Sequence, residues 1–135
     1  MIVRGPHPMG AAVLTLVLLT CPFTAGAQDA ENGAEVFKKC RACHQVGENA
    51  KNIIGPKLNG ILGRRAGTIE GFAYSKVNSA SATIWDHQTL GAFINDPKTA
   101  MPGNRMAFAG RKDEQDVADL IAHLATFDAD GKMRR

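Results

Sequence analysis

Cys40-Arg41-Ala42-Cys43-His44 is the stretch from which the rest of the chain is read. Two thiols with two residues between them and an imidazole directly after form the attachment signature of a c-type haem. On one helical turn both sulfurs reach the two vinyl groups along one porphyrin edge. The next residue then projects its ring beneath the macrocycle, where a nitrogen can bind iron. A thiol-disulfide pair would use the same spacing but leaves His44 unexplained. Half of a zinc site would need a second Cys/His pair, and the remaining cysteine of the three is Cys21, far upstream in an apolar run. The motif therefore predicts one covalently attached haem c.

The residues before it read as an export signal. Arg4 supplies a charged start, Ala11 to Leu19 an apolar core, and Ala25-Gly26-Ala27 a small-residue cleavage site. The core is too short to span a bilayer. The expected organisation is a cleaved signal peptide over residues 1–27 and one small haem domain over residues 28–135, located in the periplasm. Leu18-Leu19-Thr20-Cys21 is a weaker, lipoprotein-like alternative that would make Cys21 a lipid anchor. Thr20 is unusual before such a cysteine. In an oxidising compartment an unattached Cys40/Cys43 pair would form a disulfide, so thioether attachment gives both sulfurs a use.

Sixteen lysines and arginines face thirteen acidic residues in 135. This balance excludes a strongly basic nucleic-acid binder and leaves recognition to the distribution of charge. A chain this short buries a limited apolar core, and a haem inside the fold would relieve the shortage.

In chain order, a helix is predicted over 29–43, capped by Asp29 and carrying Val36 and Phe37. Gly33 inside it costs about 1 kcal/mol relative to alanine, either because another helix crosses closely there or because it is merely tolerated. Residues 45–71 are broken repeatedly by glycine and show no alternating run, which predicts a long loop organised by the cofactor. Short helices are expected at Ser75–Ser81 and after Asp86, with Leu90, Phe93 and Ile94 on one face. Asp96-Pro97 ends that helix or starts a further turn. Met101 to Gly110 reads as another loop. A last helix over 113–127 carries the stripe Val117, Leu120, Ile121 and Leu124. The tail Asp128–Arg135 is expected to fray.

Haem iron bound by one histidine has a second axial position, taken by Met or His or left open. His87 reads as solvated, His123 as packing beside the last helix's stripe, and Met133 lies in the tail. Met101 and Met106 remain, both on a loop that could deliver a thioether.

Residues 29–127 as a whole resemble the class I cytochromes c. Gly55-Pro56-Lys57-Leu58-Asn59-Gly60-Ile61-Leu62-Gly63-Arg64-Arg65 is similar to that family's loop after the haem histidine. Gly71-Phe72-Ala73-Tyr74-Ser75 with Asn78, Trp85, Asn95-Asp96-Pro97-Lys98, and Pro102 to Gly110 match its later segments in order. The resemblance implies an all-α, small cytochrome c fold, with helices and long loops wrapped around one haem. It implies that Met106 is the second iron ligand and Met101 an apolar residue. It further implies that the Pro56 carbonyl orients His44, that Tyr74 and Trp85 donate to a buried propionate, and that Arg64 and Asn78 lie nearby. The chain departs from the family at Phe93 (a tyrosine in mitochondrial members), Asn104 (commonly threonine) and His123 (an aromatic). The segment before Cys40 is one residue shorter than in mitochondrial members, as in bacterial types.

The function so implied is one-electron transfer by a soluble carrier, not an enzyme, shuttling between respiratory or photosynthetic complexes. Its partners would be membrane or periplasmic redox proteins: an oxidase, a reductase, a reaction centre or a dehydrogenase. They would dock on a basic rim drawn from Lys38, Lys39, Arg41, Lys98, Arg105, Arg111 and Lys112, and the carrier is expected to be monomeric. The competing reading is a peroxidase or gas-binding sensor in which Met106 is displaced.

Overall fold

The structure, a computed structural model, describes residues 1, 2, 5 and 26–134. Most of the expected signal peptide, including its apolar core and Cys21, lies outside the described residues, as does Arg135. The described residues form five helices: α1 (Ala30–Phe37), α2 (Lys76–Ala80), α3 (His87–Asn95), α4 (Pro97–Ala100) and α5 (Glu114–Ala125). Among the described residues there is no sheet, only the isolated bridges Arg65–Ile84 and Phe127–Met133. None of the described helices is long and apolar enough to cross a membrane.

Helix starts follow local chemistry. The Asp29 carboxylate accepts from the N–H groups of Glu31 and Asn32, Asp86 forms a reciprocal capping box with Thr89, and Asp113 accepts from Asp116, each satisfying orphan donors of a first turn. Asp96 closes α3 and caps α4, where Pro97 takes the first helical position and has no N–H to leave unpaired. Both readings of Asp96-Pro97 therefore apply.

The first helix is shorter than expected. It ends at Phe37, and the chain reaches His44 through tight turns. Cys40 N–H (2.8 Å) and Arg41 N–H (3.2 Å) share the Phe37 carbonyl, and Cys43 N–H (3.0 Å) and His44 N–H (2.9 Å) share that of Cys40. Mixing three- and four-residue closures on shared acceptors breaks the regular ladder at the turn that carries the thiols.

Helices α1 and α5 cross at Gly33. A β-carbon there would overlap the Asp119 carbonyl and lie 2.8 Å from Cβ of His123, so the glycine serves a close crossing. Asp119, 2 % exposed, accepts from Asp29 N–H (2.8 Å), Asn32 Nδ2 (2.7 Å) and Gln115 Nε2 (2.8 Å). The Asp29 amide foremost, then Asn32, hold its carboxyl below the usual range. Donors on three residues offset the cost of removing a carboxylate from water. The stripe Val117, Leu120, Ile121 and Leu124 is buried and joins Phe37, Ile61, Ala66, Trp85, Leu90, Ile94 and Met101 in one core.

Contrary to expectation, the described part of the tail does not fray. Asp128 N–H bonds to the Lys132 carbonyl (2.9 Å) and Arg134 N–H to that of Thr126 (2.7 Å). Gly131, buried at φ +82°, lies against the Gly47 carbonyl. Only glycine reaches that backbone angle so close to another chain segment without strain.

Candidate haem site

The long loop is irregular but tied down. Asn59, 4 % exposed, accepts from Gly47 N–H and donates to the Gly47 carbonyl, both at 2.9 Å. Further along, Gly63 N–H bonds to the Trp85 carbonyl (2.7 Å), Trp85 N–H to that of Arg64 (2.9 Å) and Ala66 N–H to that of Thr83 (2.8 Å). This backbone staple brings Arg64 and Trp85 together from segments twenty residues apart in sequence.

Between these loops, α3 and the Met101–Gly110 segment lies a cavity of about 400 Å³. Its wall includes Cys43, His44, Pro56, Arg64, Tyr74, Asn78, Trp85 and Met106, eight of the nine residues named from the sequence. Cys40 is not part of the lining; it is half-buried, one turn back, against the core.

His44 is fixed by its neighbours. Its Nδ1 lies 2.7 Å from the Pro56 carbonyl oxygen, a geometry that places the proton on Nδ1 and leaves Nε2 with a free lone pair. Burial pushes the imidazole's pKa below its ordinary value, and the Pro56 contact opposes this. Gly55 lies flat against the ring, since a β-carbon there would come within 2.8 Å of Nδ1. Burial, then Cys43, pushes the Cys40 thiol up.

The polar end of the cavity has a donor to spare. Arg64 Nη1 donates to the Asn59 carbonyl at 2.7 Å, but its Nε is buried with no partner among the described residues. Burial lowers the guanidinium's pKa, with Tyr74 opposing. The Tyr74 hydroxyl oxygen accepts from Ile69 N–H (3.2 Å), a bond that does not use its own proton. Ser75 donates to Asn78 Oδ1 at 2.6 Å. A buried cationic donor without an acceptor is costly, and an anionic group such as a haem propionate would satisfy it. Apolar walls, a free imidazole lone pair, a loop thioether, two nearby thiols and this unfilled donor together fit haem c.

The other candidate ligands are elsewhere. Met101 is 8 % exposed and belongs to the core, Met133 is 70 % exposed, and His87 is exposed. His123 sits between Phe37 and Phe127, tilted against the first and edge-on to the second, its ring centroid 5.4 Å from each. The cavity also uses residues beyond the nine named from the sequence. Leu90 and Phe93 of α3 line it, with Phe93 5.0 Å from Trp85, so the apolar face of α3 packs on the cofactor space. Asn104 lines it as well, and only its side-chain bonds disclose its role.

The expected basic rim is partly dispersed. Of its seven residues only Arg105 lines the cavity. Lys38 pairs with Glu35, Arg111 with Asp116 and Lys112 with Asp96, and Arg111 and Lys112 border a separate cleft between α3 and α5.

Comparison with known proteins gives concordant matches. The family model for cytochrome c matches residues 30–128. The chain is 51 % identical over 118 residues to cytochrome c2 of Blastochloris viridis, covering 87 % of this chain and 93 % of that protein. It is 52 % identical over 102 residues to cytochrome c-550 of Ancylobacter novellus, covering 73 % and 95 %. Among solved structures, cytochrome cH from Methylobacterium extorquens superposes with a TM-score of 0.69 at 39 % identity, covering 73 % of this chain and 98 % of that one.

Proposed function

The chain belongs to the cytochrome c family, and from that premise we propose that it carries single electrons through one haem c held by Cys40, Cys43, His44 and Met106. When bound, the haem supplies the iron's one-electron chemistry. Everything else is work for the polypeptide. Cys40 and Cys43 would hold the macrocycle by thioether bonds, and His44, oriented by the Pro56 carbonyl, would bind the iron through Nε2. Met106, on the opposing loop of the cavity, would supply its thioether as the other ligand and so leave no place for a substrate. A soft thioether and a mostly apolar wall favour the less charged, reduced state. Arg64, with Tyr74, Asn78 and Trp85, would receive the propionate charge away from bulk water, where its Nε lacks a partner among the described residues.

Electron donors and acceptors would be redox proteins that meet the cavity mouth. Removal of residues 1–27 and delivery to the periplasm complete the reading, supported by the Ala25-Gly26-Ala27 pattern. The observation that carries the proposal is the convergence on one cavity of the Pro56-oriented imidazole and the loop thioether of Met106.

The test is visible spectroscopy of the oxidised, haem-loaded protein. Low-spin iron with a methionine-sulfur charge-transfer band is expected. High-spin iron without that band would overturn the carrier reading in favour of an open, ligand-binding site.

A further inference from the structure

We propose that Asn104 is the positioning residue that keeps Met106 on the iron, an inference that rests on the Met106 ligation proposed above. The loop carrying Met106 leaves α4 at Met101, whose side chain is anchored in the core. Asn104 folds back over this anchor. Its Nδ2 donates to the carbonyls of both Pro97 and Met101 at 2.8 Å, and its backbone N–H also reaches Met101, at 3.1 Å. Its Oδ1 accepts from Met106 N–H at 2.9 Å. One carboxamide therefore adds a second donor to each of two carbonyls at the end of α4, which already accept the N–H groups of Met101 and Asn104, and ties them to the amide of the residue that bears the thioether.

The residue type matters. A carboxamide offers two donors and an acceptor on one rigid plane, whereas a hydroxyl offers one donor. A serine or threonine could not bond both carbonyls and the Met106 amide together. The side chain lines the cavity, so the clasp sits within the site itself. A thioether is a neutral, readily displaced ligand, and a competing ligand reaches the iron only when the loop opens. The apparent affinity for a competitor therefore scales with the open fraction, which Asn104 keeps small.

The test uses the oxidised, haem-loaded protein and added imidazole, followed through loss of the methionine-sulfur band. Asn104→Ala should bind imidazole roughly tenfold or more tightly than the unmodified protein, because three side-chain hydrogen bonds leave the closed state. The Met106 amide should exchange its hydrogen faster by a similar factor. Asn104→Thr should fall between the two. Thr89→Ala, which breaks the capping box of α3 without touching any bond of Asn104, should lower the melting temperature and leave imidazole affinity unchanged.

An Asn104→Ala or Asn104→Thr protein as resistant to imidazole as the unmodified one would overturn the assignment. A Thr89→Ala effect equal to that of Asn104→Ala would reduce Asn104 to general stability and overturn it too. Absence of the band from the unmodified protein would instead overturn the ligation reading itself.

Discussion

Nδ1 of His44 and the carbonyl oxygen of Pro56 are 2.7 Å apart, and this contact closes a loop of twelve residues. The ring cannot rotate to improve another bond without giving up this one. Gly55 blocks its other movement by lying against the ring face. Gly55→Ala would place a methyl group within 2.8 Å of Nδ1. The ring must shift or the loop must open, at a cost of about 1–3 kcal/mol. The expected outcome is a lower haem-to-protein ratio in purified material and a lower unfolding midpoint. Full haem loading with unchanged stability would show that the loop, and not the glycine, sets the ring.

The α1–α5 crossing predicts a larger effect. Gly33→Ala drives a methyl group into the Asp119 carbonyl, and both neighbours are helix backbone or Cβ, which cannot rotate away. We expect a loss of about 3 kcal/mol, read as a lower denaturant midpoint with an unchanged slope. A change below about 0.5 kcal/mol would mean that the helices separate at little cost.

These two glycines show what the sequence can and cannot disclose. The covalent motif, the capped helices and the stripe of α5 are local patterns, and each was legible. Gly33 admitted two readings because a close crossing depends on a helix ninety residues away. The order of the tail leaves no sign in the sequence, because it comes from a bond to Thr126 and from Gly131 against Gly47, neither of which has a periodic trace. Arg64 was placed near the propionates by resemblance alone. Its unsatisfied Nε becomes visible only when the staple to Trp85 is formed.

His123 gives stability a pH dependence near neutrality. Burial holds its imidazole below the ordinary value, so the unfolded chain takes up the proton more readily than the folded one. Stability is therefore full above about pH 6.5 and falls as pH drops from there toward the folded value. The ring is partly exposed, so the effect should be modest. His123→Phe, which keeps an aromatic between Phe37 and Phe127, should make the fall in melting temperature between about pH 7 and pH 5 shallower, with His44, also held low by burial, keeping the remainder. Asp119 works in a different window. Its carboxyl is held below the usual range, so its contribution is present above about pH 4 and is lost only as pH falls lower. A His123→Phe protein that keeps the slope near neutrality would assign it to another group.

Charge at the cavity mouth should act on rate more than on haem ligation. Arg105 lines the cavity, donates to the Ala73 carbonyl at 2.7 Å and pairs with no carboxylate among the described residues. Its positive charge is thus unneutralised where a partner must approach. Arg111 is held by Asp116 and faces the other cleft. Steering of an acidic partner is a long-range effect that salt screens within about 10 Å at 0.1 M. Arg105→Gln should therefore slow second-order electron exchange with a detergent-solubilised oxidase roughly threefold at low salt and flatten its ionic-strength dependence. Arg111→Gln should change both much less, and neither substitution should alter the absorption spectrum. Stopped-flow traces across a salt series make the comparison. Equal slowing by the two variants would mean that net charge, and not the geometry of the mouth, controls encounter.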